Sequence, residues 1–253
     1  MRTDTDHRRV LVEGTYNFRD TGGYRAAAGR TRWGKLFRSD ALHALTDAGR
    51  TALTDRAVGV IIDLRTTEER RTAPSELTGL GAVVHHAPIF DTTGTTADAR
   101  LDDIYAAMIE QRGTRLAGAV GLIAASGTSP VVVHCTAGKD RTGLVIALAQ
   151  LAAGVEPEDV VTDYVATEQH LRGEWADRML ARYTDAGHEV PPAVRTIFTA
   201  SPAPLITQII ERLDERWGSA REYLLAHGRT EAEIDSLTAL LVDTDDTFER
   251  TPR

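Results

Sequence analysis

Residues 131–150 read VVVHCTAGKDRTGLVIALAQ, and they contain the one cysteine of the chain, Cys135. The valines, entered through Pro130, read as a short buried strand, and the apolar run from about Arg141 onward reads as a helix. Cys135 thus stands at the carboxyl end of a strand, at a turn into a helix, which is where open α/β sheets collect ligands. Residues 136–140, TAGKD, supply successive backbone N–H groups. Gly138 permits a tight concave turn, and the helix N-terminus adds its partial positive charge, which together make an anion nest. The same field favours a thiolate over a thiol, so Cys135 reads as a nucleophile at neutral pH. A lone cysteine is otherwise a small core hydrophobe, and its neighbours displace that reading.

Five residues separate Cys135 from Arg141. Wrapping that loop around a tetrahedral oxyanion returns the guanidinium over it, where a planar fork grips two oxygens. Two rival loops fail on count. A nucleotide-binding P-loop needs Ser or Thr after Gly-Lys and a glycine where Val133 stands, whereas Gly138-Lys139 is followed by Asp140. A zinc site needs several Cys or His ligands, and only His134 and Cys135 are at hand.

Outward from this stretch, GVIIDLRT (59–66) and AVVHHAPI (82–89) also read as buried strands, with a capped helix in 45–58 between turn and strand. ADARLDDIYAAMIEQRGTRLAGAVGLIAAS is long enough for two helices, or one broken at Gly113. Strands separated by helices predict a mostly parallel sheet with right-handed crossovers. Before them, 17–42 reads as a turn-rich hairpin with Gly22-Gly23 and Gly29 as turns. After residue 140 the pattern is helical almost throughout; Gly228 closes one helix and Thr230 with Glu233 caps the next. The proline-rich VPPAVRTIFTASPAP reads as a loop or hinge. No repeat, low-complexity tract or linker interrupts the chain, so a single domain over 1–253 is expected.

The 253 residues carry a formal charge of −8, with 42% hydrophobic and 26% charged residues. A broad nucleic-acid surface is not expected from that charge, and any anion must be held locally. One cysteine forms no internal disulfide, which makes a reducing cytosol the default compartment. The N-terminus lacks an apolar stretch of signal-peptide length, and GLVIALAQLAAGV is too short to span a bilayer. A cytoplasmic protein without integral membrane association is expected; export without a signal peptide and the oligomeric state stay open.

HCTAGKDRTG matches the HC-x5-R-[ST]-G signature of cysteine-dependent phosphatases, and its Gly-Lys-Asp-Arg-Thr-Gly form resembles the atypical bacterial tyrosine phosphatases of the mycobacterial protein tyrosine phosphatase B type. NFRDTGGY, LFRSDALHALTDAG, DLRTTEER and YLLAHGRTEAEIDSLTALLVD resemble that family's other blocks, so the likeness covers most of residues 14–243. It implies a three-layer fold with a mostly parallel sheet flanked by helices and a largely helical C-terminal half. It implies metal-independent hydrolysis of phosphate monoesters without a cofactor, through a phosphocysteine on Cys135. Arg141 and the backbone of Thr136, Ala137, Gly138, Lys139 and Asp140 would bind phosphate. Thr142 would hydrogen-bond the departing thiolate, and His134 would orient the loop and support the thiolate. Asp140 would be the acid and later the base; Asp91 in APIFDTTG is the alternative acid. Asp63 more simply joins Arg65 in a buried ion pair.

The loop also resembles that of phosphoinositide phosphatases, in which Lys139 would grip a second phosphate. Those enzymes carry another lysine where Thr136 stands here, so a phosphotyrosine protein is the first substrate, with phosphoserine, phosphothreonine and phosphoinositides after it. A phosphate-reading pseudophosphatase module, a redox thiol and a sulfur-transfer domain are the other readings. Relatives of the family carry covering helices, which places a candidate lid within about 172–205; the apolar stripe there reads equally as core. Asn17, Arg19 and Asp20, like Arg38, Ser39 and Asp40, either approach the loop or brace a hairpin. His85 and His86 point to opposite faces of a strand and read as structural.

Overall fold

The computed structural model of the protein describes residues 6–92, 100–184, 190 and 192–244. Its strands are β1 (Arg19–Asp20), β2 (Arg25–Ala26), β3 (Gly29–Thr31), β4 (Leu36–Ser39), β5 (Val60–Asp63), β6 (Val83–His86), β7 (Val131–His134) and β8 (Val242–Asp243). The first half adds helices α1 (Asp47–Asp55), α2 (Thr67–Thr72), α3 (Leu101–Gln111) and α4 (Gly113–Ala124). The second half is helical: α5 (Asp140–Ala152), α6 (Pro157–Leu171), α7 (Glu174–Thr184), α8 (Pro192–Thr199), α9 (Ala203–Trp217), α10 (Ala220–Ala226) and α11 (Glu231–Leu241).

The main sheet has the order β1-β4-β7-β5-β6, with β4, β7, β5 and β6 parallel and β1 antiparallel at one edge. A period of two assigns each strand residue to a face. Leu36, Val60, Ile62, Val131 and Val133 face the larger core, shared with α3–α6 and α9–α11. Phe37, Ile61 and Val132 face the smaller one, closed by Phe18, Leu42 and Leu53. Burial on both faces explains why β5 and β7 read as unbroken apolar runs. The hairpin β2–β3 joins β8 in a separate antiparallel sheet.

The expected break falls at Arg112, whose φ −122° and ψ 16° separate α3 from α4, and Gly113 leaves room for the His227 ring, which a Cβ there would meet at 2.2 Å. The capping box of Thr230 and Glu233 is formed, and Gly228 has φ +91°. Two expectations change. AVVHHAPI was expected to be buried, yet β6 is the edge strand, with Val83 58% and Val84 42% exposed; β-branched content marks a strand without marking its partners. The proline-rich stretch is not one loop, because α8 starts at Pro192, a position where proline's missing N–H costs nothing, and α9 follows from Ala203. Pro191 lies outside the described residues.

Candidate active site

β7 ends at His134, and α5 begins at Asp140, so the loop between them opens at the carboxyl edge of the sheet, between β4 and β5. Its shape is held through its carbonyl oxygens. Asn17 Nδ2 donates to the carbonyls of Ala137 and Gly138 at 3.0 and 3.1 Å. Arg38 donates to the Gly138 carbonyl at 2.8 Å, and the Ala41 N–H to that of Thr136 at 3.1 Å. The His134 ring lies 3.4 Å from the Cys135 carbonyl. Because peptide planes are rigid, carbonyls fixed from behind aim the intervening N–H groups at the concave side. Gly138 has φ +65°, and a Cβ on it would sit 2.2 Å from the Ser39 carbonyl oxygen, so the loop rests directly on the end of β4.

The supports are themselves buried. Asp163 on α6 pairs with both Arg19 and Arg38, and although burial opposes its charge, the two guanidinium groups bring its pKa down to about 2. Asp40 accepts the Tyr16 and Asn17 N–H groups at 3.0 and 2.9 Å, and burial outweighs those bonds to raise its pKa to about 6. Of the two polar clusters, Asn17 and Arg38 touch the loop directly, and Arg19 braces them by donating to Asn17 Oδ1 and pairing with Asp163. Asp20 instead caps the N–H groups of Gly22 and Gly34.

Cys135 is 2% exposed at the bottom of this loop. Arg141 is clasped by Glu69, its two terminal nitrogens lying 2.6 and 2.8 Å from the two carboxylate oxygens. Glu69 also accepts the Thr136 hydroxyl and, as the third residue of α2, closes the Thr66 capping box. Burial disfavours its charge, but Arg141, Thr136 and the Thr66 N–H outweigh that and bring its pKa to about 2. Burial likewise opposes the charge of Arg141, while the Cys135 sulfur, Glu69 and Asp140 raise its pKa. Thr142 is fully buried, with no hydrogen-bond partner for its hydroxyl among the described residues. His134 is also fully buried; burial first, and Arg65, hold its pKa down to about 4 against the pull of Asp63, so the imidazole supports the loop as a neutral ring. Asp63 pairs with Arg65 at 2.8 Å, as read from DLRTTEER.

The two candidate acids are placed differently. Asp140 opens α5 within the loop and is about a quarter exposed. Asp91 lies after β6, largely exposed, with its carboxylate on Arg115 at 2.5 Å; that hydrogen bond lowers its pKa. Lys139 is 1% exposed, and its ammonium sits on Asp140 and on the Ala200 carbonyl, each at 2.9 Å, rather than at the mouth of the loop. Trp175 and Ala176 of α7 form a small apolar cluster with Leu171, and Ala137 of the loop, Tyr16 and Phe198 of α8 pack against it. His86 Nε2 donates to the Arg65 carbonyl at 2.8 Å, a structural contact.

Glu69 escaped the sequence reading as a site residue. Its signal was the Thr-x-x-Glu pattern after β5, which reads as a helix cap; that the cap lies beside the loop follows only from the pairing of β5 with β7.

Residues 10–243 match the tyrosine phosphatase family. The chain belongs to that family. This tyrosine phosphatase is 28% identical to the triple specificity protein phosphatase PtpB of Mycobacterium tuberculosis, over 91% of this chain and 98% of that one. It is 28% identical to a tyrosine-protein phosphatase of Nostoc commune, over 79% of this chain and 71% of its relative. The protein-tyrosine phosphatase is thus a hydrolase of phosphorylated substrates. Among its described residues, no helix is long and apolar enough to cross a membrane.

Proposed function

We propose that the phosphatase hydrolyses its ester through a phosphocysteine on Cys135, with Asp140 as the acid. The observation that carries this reading is the loop itself: a buried thiol at the end of β7, loop carbonyls held from behind, Arg141 fixed by Glu69, and a carboxylate at the start of α5. Cys135 Sγ attacks phosphorus, forming S–P as the P–O bond to the leaving group breaks, and protonated Asp140 gives its proton to that oxygen. Arg141 and the amides from Thr136 to Arg141 take the charge of the equatorial oxygens. Water then attacks phosphorus, Asp140 takes its proton, and the thiolate departs toward the Thr142 hydroxyl. Asp91 is less suited, because it lies outside the loop, after β6, with its carboxylate on Arg115.

Phosphotyrosine in proteins is the leading substrate, and phosphoserine, phosphothreonine and phosphoinositides are secondary. The buried Lys139 ammonium argues against a second-phosphate grip in this conformation. The chain acts as one domain, resident in the cytoplasm, and α7 and α8 form a cover over the loop. Nicking of 172–205 by protease should slow when vanadate is bound; unchanged nicking would remove the cover from the reading.

The test is hydrolysis of p-nitrophenyl phosphate in EDTA by wild type, Cys135→Ser, Asp140→Asn and Asp91→Asn. A dead Cys135→Ser, a much slower Asp140→Asn and a near-normal Asp91→Asn are expected. An inactive but folded wild type would favour a phosphate-binding module.

A further inference from the structure

Asp140 is met on one side by two donors from different parts of the fold. The Tyr105 hydroxyl, carried by α3, donates to Oδ1 at 3.0 Å, and the Lys139 ammonium reaches the same oxygen at 2.9 Å. Both donors are buried, Tyr105 at 0% and Lys139 at 1% exposure. Each is fixed from behind. Tyr105 shares a 2.7 Å hydrogen bond with the Tyr164 hydroxyl of α6, the two rings meeting edge to face. Lys139 is anchored to the Ala200 carbonyl just after α8, and the next N–H, that of Ser201, is held by Glu168 at 3.1 Å. Burial, and then the nearby carboxylate, keep the Tyr105 phenol protonated and so a donor.

A carboxyl oxygen that already accepts from a hydroxyl and an ammonium is a poor place for a further proton, since that proton would point at two others. The proton of Asp140 therefore belongs on Oδ2, the oxygen without these donors. We propose that Tyr105 and Lys139 are positioning residues for the acid: they fix Oδ1 of Asp140, so that its transferable proton resides on Oδ2 and is presented to the leaving oxygen of the substrate. In the first step the Oδ2–H proton passes to the departing oxygen as P–O breaks and S–P forms; in the second, Oδ2 takes a proton from the attacking water as S–P breaks. Lys139 thereby serves the acid instead of a second phosphate, and its bond to Ala200 ties the carboxyl to the segment that joins α8 to α9.

This inference rests on the reading of Asp140 as the acid, and leaving-group dependence tests the two separately. An ester of phenol, which is ~10 in pKa, needs its oxygen protonated as it leaves, whereas dinitrophenolate leaves without help. We compare kcat/KM, which reports P–O cleavage, on phenyl phosphate and 2,4-dinitrophenyl phosphate. Asp140→Asn is expected to slow phenyl phosphate by about 10²–10³-fold and to leave dinitrophenyl phosphate within a few-fold. Tyr105→Phe and Lys139→Met should each slow phenyl phosphate about tenfold, with the same selectivity. Tyr164→Phe removes only the bond behind Tyr105 and should slow phenyl phosphate less than Tyr105→Phe does, again with dinitrophenyl phosphate within a few-fold of wild type. If Asp140→Asn is selective while Tyr105→Phe and Lys139→Met slow both esters equally or neither, the positioning role is overturned and the acid stands. If Asp140→Asn slows both esters alike, the acid reading itself falls and the positioning role with it.

Discussion

Arg141 and Glu69 face each other as two planar forks, joined by a pair of hydrogen bonds of 2.6 and 2.8 Å. A guanidinium held in that way presents its remaining N–H edge in one orientation, which, in the phosphate-binding role proposed for Arg141, removes rotamers that would otherwise have to be frozen.

Glu69→Gln keeps an acceptor for the Thr66 cap but loses the charge and one oxygen that meet Arg141. We expect kcat/KM on p-nitrophenyl phosphate to fall by about 10–10²-fold. Glu69→Ala should fall further and also lose about 1 kcal/mol of stability with the cap. Steady-state kinetics beside thermal melts separate the two effects, and activity within twofold for Glu69→Gln would show that Arg141 orients itself.

Asn17 gives both hydrogens of its amide to loop carbonyls, and those donors are what the position requires. Asn17→Ala should weaken vanadate inhibition about tenfold, because the Ala137 carbonyl loses its side-chain donor and the Gly138 carbonyl keeps only Arg38. Asn17→Asp should be worse than Asn17→Ala, since it sets a carboxylate against two carbonyl oxygens. Equal effects would assign Asn17 to packing alone.

Gly138 carries both constraints that exclude a side chain, a positive φ and a carbonyl where the Cβ would go. Gly138→Ala is expected to cost about 1–3 kcal/mol of stability and at least ~10² in kcat/KM, as the loop lifts from the end of β4. Wild-type kinetics in that variant would mean that the loop shape tolerates displacement.

Stability should vary little from pH 6.5 to about 4.5 and fall steeply below about 4. Burial holds the His134 and His170 pKa values at about 4 and about 3, so as pH falls the unfolded chain binds protons that the folded one refuses. Asp20 and Asp40, raised by burial to about 6, act in the opposite sense: the folded chain binds protons first and gains stability as pH drops through 6. The two pairs nearly offset. Below their ordinary range, Asp163 and Glu69 remain charged in the folded state to about pH 2, and their contribution is lost as pH falls toward that value. For Asp163 that contribution is about 2 kcal/mol. Melting temperatures across the range test this; a steady decline from pH 6.5 would show that the raised carboxylates offset nothing.

What the sequence disclosed about this protein follows the reach of each interaction. The strand and helix on either side of the Cys135 loop and the Thr230–Glu233 cap depend on neighbours within a few residues, so pattern suffices. The partner of Arg141 does not. Glu69 lies 72 residues away and meets it because β5 and β7 are adjacent in the sheet. Lys139 was readable as a cation beside a phosphate loop, but its direction is set by Ala200 and Asp140, which no local spacing reveals. For the same reason, Val83 and Val84 looked buried, although nothing pairs with the outer side of β6 among the described strands.

The carbonyls that shape the loop are held mainly from the far N-terminal region: Asn17 is 120 residues from Ala137, and Arg38 is 100 from Gly138. Closing segments of that length costs chain entropy that short-range helix formation does not. Until the segment that carries Asn17 and Arg38 docks, the loop carbonyls of Ala137 and Gly138 lack the side-chain donors that hold them. The nucleophile we propose is thus made by the closed chain, because the donors that hold its loop come from segments 120 and 100 residues away.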